Sequence, residues 1–128
     1  MRKLILEEWV SLDGYAEDKN GKLDFFPSTG NNKFSDNDQL KFMEGIDTIL
    51  LGRKTYDLFV EFWPTATTDT EIIADKLNST PKVIFSNNLK SAPWGNWPEA
   101  EVISGDAIEE IKKLKNKDGK NIVLWGSI

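Results

Sequence analysis

Two residue types are missing altogether: the 128 residues contain neither cysteine nor histidine. Without cysteine there is no disulfide, thiol nucleophile or thiolate zinc site, and the chain suits a reducing compartment, so the cytoplasm is the expected location. Without histidine there is no Ser-His-Asp triad and no imidazole metal site, so no metal is expected. Catalysis then falls to carboxylates, lysine, hydroxyls or a borrowed cofactor. Long apolar runs are scarce too. The opening MRKLILEEWV is basic and then apolar, but Glu7 and Glu8 interrupt it, and neither a signal peptide nor a membrane span is expected. Positive charge is in deficit, with 16 Lys and Arg against 21 Asp and Glu. A net charge of -5 excludes a general nucleic-acid surface, which works by neutralising phosphates. An anionic ligand must be held by a local cluster.

No repeat, low-complexity tract or Pro/Gly-rich linker divides the chain, and 128 residues suffice for one core, so residues 1–128 are read as one domain. What recurs is a short apolar run closed by small polar residues. Such runs lie at 3–10, 47–51, 82–85, 101–103 and 121–125, and helical patterns at about 35–45, 53–62, 69–78 and 106–116. The last helix starts at Asp106 with Glu109 three residues on, as a capping box does, and Ile108, Ile111 and Leu114 form its apolar stripe. Lys112, Lys113 and Lys115, with Lys117 just after the helix, read as a solvated face. Strands alternating with helices imply an α/β domain with a largely parallel sheet covered on both faces. Ligands of such sheets sit outside the carboxyl ends of the strands.

Three strand ends carry ligand-like residues. In DTILLGRKTYDLF a buried strand meets Gly52, Arg53, Lys54 and Thr55 at the start of an amphipathic helix. Glycine permits close approach, and helix amides with Arg53 and Lys54 favour an anion such as phosphate; a plain strand-to-helix turn is the alternative. In KVIFSNN, Ser86 and Asn87 can bond a ribose or its phosphate, or simply make a turn. In NIVLWGSI, Gly126 and Ser127 supply the third end. Three such ends in one parallel sheet would converge on a nucleotide crevice.

VSLDGYAED, DTILLGRKTYDLF, PKVIFSNNL and NIVLWGS, in that order and spacing, resemble the dihydrofolate reductase-like family. The nearer likeness is to the branch related to the C-terminal reductase domain of bifunctional riboflavin-biosynthesis proteins. The resemblance covers essentially the whole chain. It implies a three-layer α/β reductase using NADPH, with Arg53 towards the 2'-phosphate, Thr55 at the pyrophosphate and Gly52 and Lys54 in the same segment. Ser86 and Asn87 would lie by the adenosine, Gly126 and Ser127 by the pyrophosphate, and Val10, Ser11, Asp13 and Gly14 around the nicotinamide. The substrate would be a heterocycle, either a pterin or a phosphoribosyl-aminopyrimidine. Family members continue past the last glycine turn through a helix and an antiparallel strand pair, so the resemblance implies a chain shortened at its carboxyl end. A homodimer would cover the exposed sheet edges.

Reducing a C=N bond also takes a proton. Asp36 opens a helix beside its apolar face, where dihydrofolate reductases carry the acid that binds the pterin; the alternative is an acid favoured there by the helix dipole. Glu8 is an acid in an apolar run and is the second candidate. Trp9 and Trp63 are candidates to wall a flat substrate, although aromatics also build cores. The rival functional class is a nucleotide-binding or interaction module without turnover, a remnant of the reductase fold.

Overall fold

Alternating side-chain direction along the strands builds two apolar layers on one sheet. The computed structural model describes residues 1–22 and 33–126. Its strands are β1 (Leu4–Glu7), β2 (Ile46–Gly52), β3 (Lys82–Phe85), β4 (Ala92–Trp94), β5 (Trp97–Ile103) and β6 (Asn121–Trp125). Among the described residues there are four helices, α1 (Lys33–Glu44), α2 (Arg53–Phe62), α3 (Ala74–Ser79) and α4 (Ala107–Asn116), and a 3-10 turn at Trp63–Thr65 follows α2. The strands order as β1-β6-β2-β3-β5-β4, all parallel except the antiparallel β4–β5 pair.

On β2, Ile49 and Leu51 face one layer while Leu50 faces the other, as a period of two requires. Ile49, Leu51, Ile84 and Val123 pack with Met43 of α1, Tyr56 of α2 and Leu77 of α3. On the opposite face, Leu50, Val83 and Ile122 pack with Leu114 of α4. The expected mostly parallel sheet with helices on both faces is therefore present. Among the described residues no helix is long and apolar enough to cross a membrane.

Several elements differ from the sequence reading, β5 among them, which starts at Trp97 rather than 101. The first strand covers four residues rather than eight, so Glu8 and Trp9 stand beyond its end. Helix α3 starts at Ala74, because residues 67–71 form turns in which Thr70 Oγ1 and the Glu71 N–H both donate to the Thr67 carbonyl. Threonine side chains offer the backbone such local partners and delay the helix. Strand β4, which Pro93 obscures in the sequence, forms because it lies at the sheet edge, where a missing N–H costs no ladder bond.

At the opposite end of the sheet from the strand carboxyl ends, Arg2 joins several elements. Asp47 is bulged out of the β2–β6 register and forms an ion pair with Arg2. Arg2 also donates to the carbonyls of Lys120 (2.6 Å) and Leu114 (3.1 Å) and to Thr48 Oγ1 (2.8 Å).

Candidate functional site

The carboxyl ends of β1, β6 and β2, three neighbouring strands, open onto a cleft of about 740 Å³. Its strand-end residues are Glu7, Glu8 and Trp9 after β1, Trp125 and Gly126 at β6, and Lys54 and Thr55 just after β2. Helix α1 contributes Ser35, Asp36 and Gln39, and α2 contributes Leu58 and Phe59. Trp63 and the stretch Glu71–Ile73 close the far side.

Gly126 follows β6 at φ 63°, and a Cβ there would lie 2.6 Å from Thr55 Cγ2 and nearer still to Oγ1. Only glycine lets β6 come this close to the first turn of α2, and Thr55 Oγ1 donates to the Gly126 carbonyl over 2.7 Å. Gly52 caps α2 without a side-chain bond, leaving first-turn amides for a ligand. An anion is therefore favoured beside Lys54.

On the other side, Glu7 is held from two directions. Its Oε2 accepts from Trp125 Nε1 (2.6 Å) and from Gln39 Nε2 (2.9 Å). The first contact follows from register, since Glu7 and Trp125 are direct partners on neighbouring strands. Asp36 stands three residues before Gln39, one turn away on the same face of α1. Phe59 sits with its ring centroid 6.2 Å from both Trp63 and Trp125, forming an aromatic wall.

Of the sequence candidates, Glu8, Trp9, Asp36, Lys54, Thr55, Trp63 and Gly126 line this cleft. Arg53 does not. It lies exposed at the start of α2, with its Nε 2.9 Å from each carboxylate oxygen of Asp57. Ser11, Asp13 and Gly14 form a loop closed on itself: Ser11 Oγ donates to Asp13 Oδ1 (2.6 Å), and the Gly14 N–H donates to the Ser11 carbonyl. Val10 is exposed beside this loop, and none of the four lines the cleft. Ser86 and Asn87 also lie outside it. Ser86 Oγ accepts from the Leu89 N–H in a local turn, and Asn87 Oδ1 accepts from the Gly105 N–H, which ties the end of β3 to the loop before α4. Ser127 falls outside the described residues. The strand ends that converge are thus those of β1, β6 and β2, with β3 turned to a different neighbour.

Glu7 was missed because the first strand was read as running on through Val10, which drew attention to Glu8. Strict alternation from Ile5, a core residue, would have placed Glu7 on the same face. No sequence signal marks Gln39.

Residues 2–127 match the family described as the RibD C-terminal domain. "Uncharacterized protein YyaP" of Bacillus subtilis (strain 168) is 37% identical over 127 residues, which cover 98% of this chain and 63% of that protein. A solved structure of a Shewanella sp. PV-4 protein named "Putative riboflavin biosynthesis protein" is similar at TM-score 0.66 and 27% identity, covering 99% of this chain and 65% of that one. The chain thus spans less than two thirds of the length of either relative.

Proposed function

The chain belongs to the RibD C-terminal domain family, and from that premise we propose that it is an NADPH-dependent reductase acting on a C=N-type bond of a flat heterocycle. The observation that carries this reading is the close approach of Gly126 to Thr55 at the uncapped start of α2, inside the aromatic-walled cleft. A Cβ at Gly126 would fill the approach, and the first-turn amides with Lys54 suit a pyrophosphate. The residues present therefore fit the cofactor.

When bound, NADPH supplies the hydride. The chain's own residues bind, orient and protonate. The first-turn amides of α2 would hold the phosphates, Thr55 would fix the Gly126 turn beside them, and Lys54 would balance their charge. Phe59, Trp63 and Trp125 exclude water from the ring-binding part and fix the plane of a flat substrate. A proton reaches the substrate nitrogen from a carboxyl group of the cleft, with Asp36 and Glu8 as donors and Glu7 as the group that orients the substrate. Arg53, on the solvent side of α2, is the candidate contact for a 2'-phosphate that extends beyond the cleft.

Titration of NADPH and NADH by tryptophan fluorescence tests the reading, because Trp9, Trp63 and Trp125 all line the site. NADPH should quench at micromolar concentration, and adding dihydrofolate should consume its absorbance. Binding without consumption of this or any related heterocycle favours the non-catalytic module. No binding of either nucleotide sinks the proposal.

A further inference from the structure

A second cavity, of about 400 Å³, lies at the other end of the sheet from the cleft. Arg2 and the start of β2 line one side, Lys76 and Thr80 at the exit of α3 line another, and Lys120 stands before β6. Strand β2 runs from this cavity to the cleft, so roughly 15 Å of chain separates them and the two are distinct sites. Three cations, Arg2, Lys76 and Lys120, line the cavity against one acid, Asp47, whose charge Arg2 already meets. The surplus is positive in a chain of net charge -5.

Helices α1, α3 and α4 all end near this cavity, and their last carbonyls are the acceptors that could consume that charge. They are largely served by other groups. The Lys76 carbonyl accepts from the Thr80 N–H (3.1 Å) and from Thr80 Oγ1 (2.6 Å). The Asn78 and Thr80 carbonyls accept from Nζ of the buried Lys82, over 2.9 and 2.8 Å. Arg2 takes the Leu114 carbonyl, and Lys120 Nζ takes that of Glu44. An ammonium has more N–H groups than this one bond of Lys120 uses, and among the described residues no acceptor meets Lys76 Nζ. Arg2 is fixed by its bonds to Lys120, Leu114 and Thr48, so one cation of the set is placed before a ligand arrives. Two ammonium groups from different elements beside a fixed guanidinium suit an anion with several charged oxygens better than a single carboxylate.

We propose that this cavity binds a phosphate dianion, free or as the terminal group of a small organic phosphate, held by Lys76 and Lys120 with Arg2. The anion ties the exit of α3 to the turn before β6, and its binding stabilises the fold.

Inorganic phosphate, methyl phosphate, acetate and chloride, each titrated against the whole isotope-labelled chain at constant ionic strength, test this through amide chemical shifts and the unfolding midpoint. Phosphate should saturate at millimolar concentration, shift the amides of Thr48, Lys76, Thr80 and Lys120 together, and bind at least tenfold more tightly than acetate. It should also raise the unfolding midpoint, which chloride should not. Lys76→Ala with Lys120→Ala should weaken phosphate tenfold or more. If that double variant fails to fold, Lys76→Ala alone, whose lost ammonium bonds no described residue, should still weaken it severalfold. Methyl phosphate binding as well marks an organic phosphate as the ligand, and its exclusion marks the free ion; both uphold the site. Shifts that never saturate, that chloride reproduces, or that are confined to Thr55 and Gly126 overturn the proposal, as does unchanged affinity in the variants.

Discussion

Lys82 shows how far a single side chain can depart from what its type suggests. It is 5% exposed, donates to the carbonyls of Asn78 (2.9 Å) and Thr80 (2.8 Å), and lies 4.5 Å above the ring of Trp94. Burial pushes its ammonium down to about 8 from an ordinary 10.5. Between those values the unfolded chain binds more protons than the folded one, so stability rises with pH across that window and the benefit is absent below it. Urea unfolding at pH 7 and 9.5 should show this rise in the wild type and a flatter response in Lys82→Met. Gly126 gives a second prediction. Gly126→Ala must push Thr55 away and hold a strained φ, which should cost about 2 kcal/mol in the same assay and weaken NADPH more than tenfold. The sequence marked Gly126 as a site, yet the reason it must be glycine, a threonine 71 residues away in sequence, is invisible there.

Helix α4 was legible in the sequence almost to its ends, and its cap explains why. Asp106 accepts from the Ile108 N–H (2.9 Å) and the Glu109 N–H (3.4 Å), contacts that depend only on residues a few positions apart. Asp106→Ala should lower stability by about 1 kcal/mol, read as a shift in urea midpoint without a change in slope. Of the β4–β5 pair, the sequence reading held only residues 101–103 of β5. The pair forms because Trp94 is fully buried and its Nε1 donates to Asn78 Oδ1 over 2.7 Å. Asn78 in turn donates from Nδ2 to the Trp63 carbonyl over 2.7 Å, so α3, the 3-10 turn and the hairpin share one buried polar link. Tertiary burial here overrides local propensity.

At the scale of the whole molecule, Arg2 is the side chain that joins the most distant segments. By joining α4, the start of β6 and the bulge of β2, Arg2 connects segments from both ends of the chain. Arg2→Ala removes the bonds to the Lys120 and Leu114 carbonyls and to Thr48 together with the Asp47 ion pair, and should cost about 2 kcal/mol, measured as a fall in the unfolding midpoint. Among the described residues β1 pairs only with β6, and Leu6 within it and Val10 and Leu12 after it are exposed. A homodimer covering this edge predicts twice the single-chain mass by light scattering, with Leu6→Lys returning one chain of unchanged circular dichroism; a monomeric wild type would end that idea. The resemblance in the sequence already supplied the family, the parallel α/β order and the segments around Gly52 and Gly126, because strand periodicity and strand-to-helix turns are written in consecutive residues. It could not show that Arg53 faces Asp57, that Ser86 and Asn87 serve the β5 side, or that Glu7 is held by Gln39 and Trp125. Those facts depend on which strands become neighbours and on where a strand stops, and both are set by long-range burial and register.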